Sequence, residues 1–373
     1  MTDNNRPPFR ADHVGSLLRP DRLKRARGRR AAGALSASEL RAVEDEAIGD
    51  IVRAQVAVGL EGITDGEFRR TYFHIDFLER LEGVTVTQGS YRLKFRGHGK
   101  EVDFSPPVMT VTGRLRRPRG IATDDFAFLA DVVAAGGTAK LCIPSPTMLH
   151  FRGGRRGIDA TVYPDIDGFF ADLAAVYRDE IADLAGLGCR YLQLDDTNLA
   201  YLCDPAHRER VRSIGEDPAL LPSLYGRLIS DAVGARPDDM AACIHLCRGN
   251  FRSAWAAEGA YDAVAEALFN EIDVDAFFLE YDDARSGGFE PLRHVPEGKT
   301  VVLGLVSTKT GQLEDADEIK RRIDEAGAFV DIDRLALSPQ CGFSSTHHGN
   351  DITYDEQMAK LELVVSIAGE VWG

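Results

Sequence analysis

Along almost the whole chain, short apolar runs alternate with stretches in which apolar residues recur every three or four positions. Runs at 9–14, 62–64, 139–143, 191–194, 240–245, 276–279, 300–306 and 335–337 read as buried strands. Helical spacing occupies 38–58, 69–81, 124–135, 166–187, 218–232, 261–269, 316–326 and 355–371. In the first of these the apolar set is Leu40, Val43, Ala47, Ile48, Ile51, Val52 and Val56, with Ser36 or Ser38 as N-cap. Strands that alternate with helices predict a parallel sheet, and eight such units predict an α/β fold of the (β/α)8 TIM-barrel type. Chemistry in such barrels gathers at the C-terminal ends of the strands. One stretch breaks the rhythm. Over 84–113 the apolar positions are Val84, Val86, Tyr91, Leu93, Phe95, Val108 and Val111, punctuated by glycines and by Pro106-Pro107. This predicts an inserted β-hairpin region on the barrel, so 1–373 is expected to form a single catalytic domain.

Composition narrows the partners. The 373 residues carry a net charge of −15, with 44% apolar and 28% charged residues. The basic run at 22–30 reads as a solvated helix face or loop, and that at 114–119 is interrupted by Pro118. Without a basic stripe, a nucleic-acid partner is not expected, and a small molecule is. No run of 18 apolar residues predicts a membrane span, and the polar first ten residues lack the apolar segment of a secretory signal. Six cysteines in such a chain point to a reducing, cytoplasmic setting. Four of them, Cys142, Cys189, Cys203 and Cys243, show no ligand spacing and read as small buried hydrophobes.

The remaining two carry chemistry. The strand at 240–245 delivers His245 and, two positions on, Cys247, and residues at i and i+2 of an extended chain point the same way. Imidazole and thiolate together suit zinc. Glu280 ends the next strand, and Cys341 follows the last one. All three strand ends ring one opening of the predicted barrel, so His245, Cys247, Glu280 and Cys341 can fill a tetrahedral zinc shell. Zn²⁺ with two thiolates, a carboxylate and a neutral imidazole has formal charge −1. That is a poor Lewis acid but a good holder of an incoming thiol as thiolate. The chemistry implied is alkyl transfer to sulfur.

Several stretches resemble the cobalamin-independent methionine synthase family, most closely its short single-barrel members: His13-Val14-Gly15-Ser16, Ile63-Thr64-Asp65-Gly66-Glu67-Phe68, Leu192-Gln193-Leu194-Asp195-Asp196, His245-Leu246-Cys247 and Pro339-Gln340-Cys341-Gly342. The resemblance implies a zinc site at His245, Cys247, Glu280 and Cys341, with homocysteine methylated to methionine. It implies that Glu67 and Asp195 hold the substrate ammonium, and that the turn of Val14, Gly15 and Ser16 holds its carboxylate. Two carboxylates suit a cation, and a turn offers N–H donors to an anion. The family places an acid histidine after the seventh strand. Here Lys309 takes that place, as a proton donor or as a partner for an anionic donor group. The family's full-length members also have a duplicated N-terminal half that helps bind the folate donor, for which this chain has no room. The methyl donor is therefore left open among methyl-folate, methylcobalamin and other carriers, as is association into a homo-oligomer. Arg248, Arg252 and Arg285 are candidates for contacts to an anionic donor, and His347-His348 read as a surface loop beside it. The alternative is alkyl transfer to or from another thiol, such as coenzyme M in epoxide opening. That thiol has no amine for Glu67 and Asp195 to neutralise. A non-catalytic zinc or homocysteine binder, and a metal-free barrel decarboxylase, are the readings from other classes.

Overall fold

The computed structural model describes residues 6–88, 92–97, 100–134 and 136–373. Tyr91, expected in the insertion, and Ala135, the expected end of a helix, lie outside them, as do the first five residues. The strands are β1 (Gly62–Ile63), β2 (Glu82–Thr87), β3 (Leu93–Gly97), β4 (Lys100–Phe104), β5 (Val108–Arg116), β6 (Thr138–Pro144), β7 (Tyr191–Asp196), β8 (Ala241–Leu246), β9 (Ala276–Glu280), β10 (Thr300–Val306) and β11 (Leu335–Pro339). Seven of these form a parallel sheet in the order β1-β6-β7-β8-β9-β10-β11. Helices or 3-10 turns lie between successive strands of this sheet, as parallel pairing requires.

The eighth stave is the segment expected as a strand at 9–14. It pairs with β11 through a single bridge at Ala11, with Asp12 N–H donating to Leu337 O (3.0 Å) and Leu337 N–H to Arg10 O (2.8 Å). Its other side reaches β1 and the turn beyond by Thr64 Oγ1 to Gly15 O (2.7 Å) and Leu17 N–H to Gly66 O (3.1 Å). A regular ladder does not form because the segment is fixed by side chains instead. Asp12 is fully buried, held by the Lys140 ammonium (2.9 Å) and by the N–H groups of His13 (2.7 Å) and Phe9 (3.2 Å).

Period-two alternation along each strand decides what faces the barrel interior. Tyr191, Cys243, Ala276, Phe278, Val302 and Ala336 pack inside with Phe9 and Val14. Leu192, Leu194, Ile244, Phe277, Leu279 and Leu303 face the other way, into the larger core under the helices. Burying each large apolar side chain stabilises the fold by about 1.5–3 kcal/mol. Carried two residues further along β8 and β9, and four along β7, the inward set becomes His245, Glu280 and Asp195, all at the C-terminal end of the strands.

The expected helix at 69–81 shrinks to Ile75–Leu78. Upstream carbonyls that would accept helical N–H groups are taken by arginines: Arg19 binds Glu67 O (2.7 Å) and Arg70 O (2.8 Å), and Arg27 binds Phe68 O (2.5 Å). The basic run at 22–30, read as helix face or loop, is a helix (Asp21–Ala31), and one at Pro205–Ser213 adds to the expected set. The 84–113 insertion is two nested antiparallel pairs, β2 with β5 and β3 with β4. The inner pair leans over the barrel mouth, where Arg96 and Trp255 exchange backbone hydrogen bonds of 2.7 and 2.8 Å. Among the described residues, no helix is long and apolar enough to cross a membrane.

Candidate metal and substrate site

Four side chains expected to share an ion do converge. One donor atom each from His245, Cys247, Glu280 and Cys341 lies within 4.8 Å of all the others, and all four residues are buried. The sulfurs of Cys247 and Cys341 are 3.4 Å apart. Two sulfurs on one tetrahedral zinc, with Zn–S bonds of about 2.3 Å, lie about 3.8 Å apart, so the pair has only to open by a few tenths of an ångström to share an ion. Neither ring nitrogen of His245 makes a hydrogen bond of normal geometry, although the residue is only 2% exposed. A buried imidazole left this way costs stability unless something takes its lone pair. These residues therefore fit a borderline-soft divalent cation.

The thiol pair is polarised. Hydrogen bonding from Cys247 and the nearness of His245 hold Cys341 well below the usual thiol range despite its burial. The same contact with Cys341, together with burial, pushes Cys247 well above it. Behind the cluster, Glu280 is gripped on both oxygens. Arg248 N–H donates to Oε1 (2.8 Å) and Arg285 Nη2 to Oε2 (3.0 Å), with the Lys309 ammonium 3.9 Å away. Burial pushes the Glu280 carboxyl up, and Lys309 and Arg285 oppose it. The Arg248 guanidinium is wholly buried over the Tyr261 ring at 4.3 Å.

The main cavity, main in bordering the cluster rather than in size, opens in front of His245, Cys247 and Cys341, and Val14, Ser16, Glu67 and Asp195 line it too. Gly15 makes the turn that brings them there. Its φ is +120°, and a Cβ would lie 2.5 Å from Cys142 Sγ and 2.9 Å from Glu67 Oε1. Glu67 itself has φ +59°, a left-handed conformation that side-chain-bearing residues adopt at a cost and that often marks a working site. Burial, with Asp195 and Asp65 adding to it against Arg70, raises the Glu67 carboxyl to about 8. Asp195 accepts from Gln193 Nε2 (2.7 Å), which also donates to Val14 O (2.8 Å) and so ties turn to acid.

Other residues fall elsewhere than the sequence suggests. Lys309 does not line this cavity. Its ammonium turns to Asp282 (3.4 Å) and Glu280, and it borders a separate cavity with Arg252. Arg248 and Arg285 are built into the wall behind Glu280 and do not line the main cavity. Cys142, read as inert, sits with Glu67 and Asp195. The rings of His347 and His348 meet at a tilt with centroids 3.8 Å apart, and His348 packs 5.0 Å from Phe251.

Three features escaped sequence reasoning. Arg70 forms a close ion pair with Glu67 and lies 3.6 Å from Asp195. An aromatic wall joins Phe95 and Phe104 of the insertion to Phe251, with ring separations of 5.4 and 4.3 Å. His74, Arg152, Thr197 and Tyr201 also line the cavity. Only Arg70 left a trace in the sequence, three residues after Glu67, where one turn of chain brings a cation back to a carboxylate.

Comparison with known proteins agrees with this geometry. The family model described as the catalytic domain of cobalamin-independent synthase matches residues 9–370. The uncharacterized protein YxjH of Bacillus subtilis is 47% identical, covering 98% of this chain and 95% of its own length. A crystal structure from Listeria monocytogenes, provisionally assigned as a vitamin-B12-independent methionine synthase, superposes with a TM-score of 0.79 at 38% identity, over 99% of this chain and all of that one. The 5-methyltetrahydropteroyltriglutamate–homocysteine methyltransferase of Shewanella oneidensis is 24% identical over 86% of this chain but only 37% of its own length. Its barrel, its site and these matches place the chain in the cobalamin-independent methionine synthase family of methyltransferases.

Proposed function

We propose that this chain is a zinc-dependent S-methyltransferase that methylates the thiol of homocysteine to give methionine, acting as one barrel domain in a reducing, cytoplasmic setting. The observation that carries the reading is the convergence of His245, Cys247, Glu280 and Cys341 on one buried point. A zinc ion held there supplies an incoming thiol with a means of losing its proton while staying nucleophilic.

The chain's own residues do the rest. Glu67 and Asp195 receive the substrate ammonium. Once both acids are ionised, Arg70 cancels one of their two charges, and the pair keeps a net −1 that one ammonium balances. The turn of Val14, Gly15 and Ser16 receives the carboxylate through backbone N–H groups. Held at both groups, the amino acid presents its thiol to the side of the cavity formed by Cys247 and Cys341. The aromatic wall keeps water from the reacting sulfur. Lys309, pinned to Glu280 and Asp282, supports the ligand shell rather than meeting the donor.

A second reading, alkyl transfer to an amine-free thiol such as coenzyme M, draws on Arg70, because the acid pair already holds a cation. The experiment that separates them offers homocysteine and coenzyme M with methyl-folate and methylcobalamin, with metal content measured alongside. Methionine formation by zinc-loaded protein supports the first reading. Turnover of coenzyme M alone, or of homocysteine without bound metal, refutes it.

A further inference from the structure

One part of the main cavity has no role in the scheme above. His74 lines it at 3% exposure, and neither of its ring nitrogens has a hydrogen-bond partner among the described residues. Burial, with the charges of Arg152 and Arg70 adding to it, holds its pKa well below the usual imidazole range. A neutral imidazole carries one donor and one acceptor, and a buried one with both unused is normally found where a ligand completes it. Arg152, Thr197 and Tyr201 line the same cavity, and Phe95, Phe104 and Phe251 flank it with flat apolar faces. The groups of an amino-acid thiol are met elsewhere, by Glu67, Asp195 and the turn at 14–16. Lys309, at the place where the family keeps an acid, faces Glu280 and Asp282 instead.

We propose that His74, beside Arg152, hydrogen-bonds the leaving group of the methyl donor, and that the donor is therefore one whose leaving group presents oxygen or nitrogen acceptors. The proposal rests on the methyl-transfer reading. In the step, the sulfur–methyl bond forms as the bond from methyl to the leaving atom breaks. The bonding electron pair departs with the leaving group, and the His74 N–H meets the charge that develops there. The thiol's proton goes to solvent; a leaving group that departs as a stable anion simply keeps the electron pair, and one that departs from nitrogen takes its proton from solvent, with the His74 N–H bond stabilising the charge in either case. His74 is neutral and donates without being consumed.

The test alkylates homocysteine bound to the zinc-loaded protein with two surrogate donors. Methyl iodide has a leaving group with no such acceptor. Methyl benzenesulfonate has one with three oxygens on an aromatic ring. His74→Leu is expected to react with methyl iodide at the wild-type rate and to lose about tenfold in kcat/KM with the sulfonate. His74→Gln, which keeps a donor and an acceptor, is expected to recover most of that loss. Should His74→Leu fail to fold, His74→Phe replaces it as the apolar variant. Equal rates with the sulfonate, or equal losses with both donors, overturn the proposal. A wild type that cannot alkylate homocysteine even with methyl iodide sinks the methyl-transfer reading itself, and the proposal with it.

Discussion

Replacing Arg285 by Met removes a group that never touches substrate, yet it is expected to loosen the metal. Arg285 and Glu280 are both buried, with side chains 4% and 0% exposed, and they meet at 3.0 Å. A hydrogen bond to an ionised partner contributes about 1.5–3 kcal/mol, which is roughly tenfold to more than a hundredfold in affinity. Lys309, 3.9 Å from the same oxygen, compensates in part. Against that, Asp282 loses its 2.6 Å contact with the guanidinium and repels Glu280. The net expectation is zinc binding about 10- to 100-fold weaker, the range found when partners of metal ligands are removed. The assay is competition against a chromophoric chelator at pH 7, with a thermal melt to confirm folding. Arg285→Lys, which keeps the charge but not the planar fork, should fall between. Wild-type zinc affinity in Arg285→Met would show that Glu280 is not a ligand held from behind.

Four further outcomes are expected. Cys247→Ala loses both zinc and activity while the barrel stays folded, read by metal analysis and circular dichroism; stoichiometric zinc in that variant contradicts the ligand set. Gly15→Ala destabilises by about 2–5 kcal/mol in urea unfolding, from the strained φ and the close approach of Cys142, and weakens homocysteine binding. Lys140→Met costs about 3–5 kcal/mol by the same assay, because Asp12 is left charged and fully buried. Calorimetry should show homocysteine affinity rising as pH climbs towards about 8, because Glu67 is protonated below that value and the ammonium binds its ionised form. The sign for folding is the opposite. A carboxyl raised from 4.5 to about 8 holds its proton more tightly in the native state, so its contribution to stability is lost as pH rises through that window. Glu67→Gln should flatten both profiles.

The four candidate ligands were legible because alternation along a buried strand is a strong rule. His245 and Glu280 continue the inward phase of Cys243 and Phe278, and Cys247 follows His245 by two. The strands of the sheet were equally clear, being runs with no competing period. The segment around Asp12 was less so, because a buried Asp–Lys pair fixes it rather than a ladder. The failed helix at 69–81 shows a different limit. Its apolar spacing is helical, but Arg19, distant in sequence, takes the carbonyls of Glu67 and Arg70. The cavity's far lining was not legible at all. His74, Arg152, Phe95 and Phe104 come from loops and an insertion, whose placement no periodicity encodes.

X-ray absorption at the zinc edge tests the central claim most directly. One zinc per chain, bound by two sulfurs and two lighter atoms, with a third sulfur on adding homocysteine, is the expected result. Chain purified without stoichiometric zinc, or a sulfur count that homocysteine leaves at two, contradicts it.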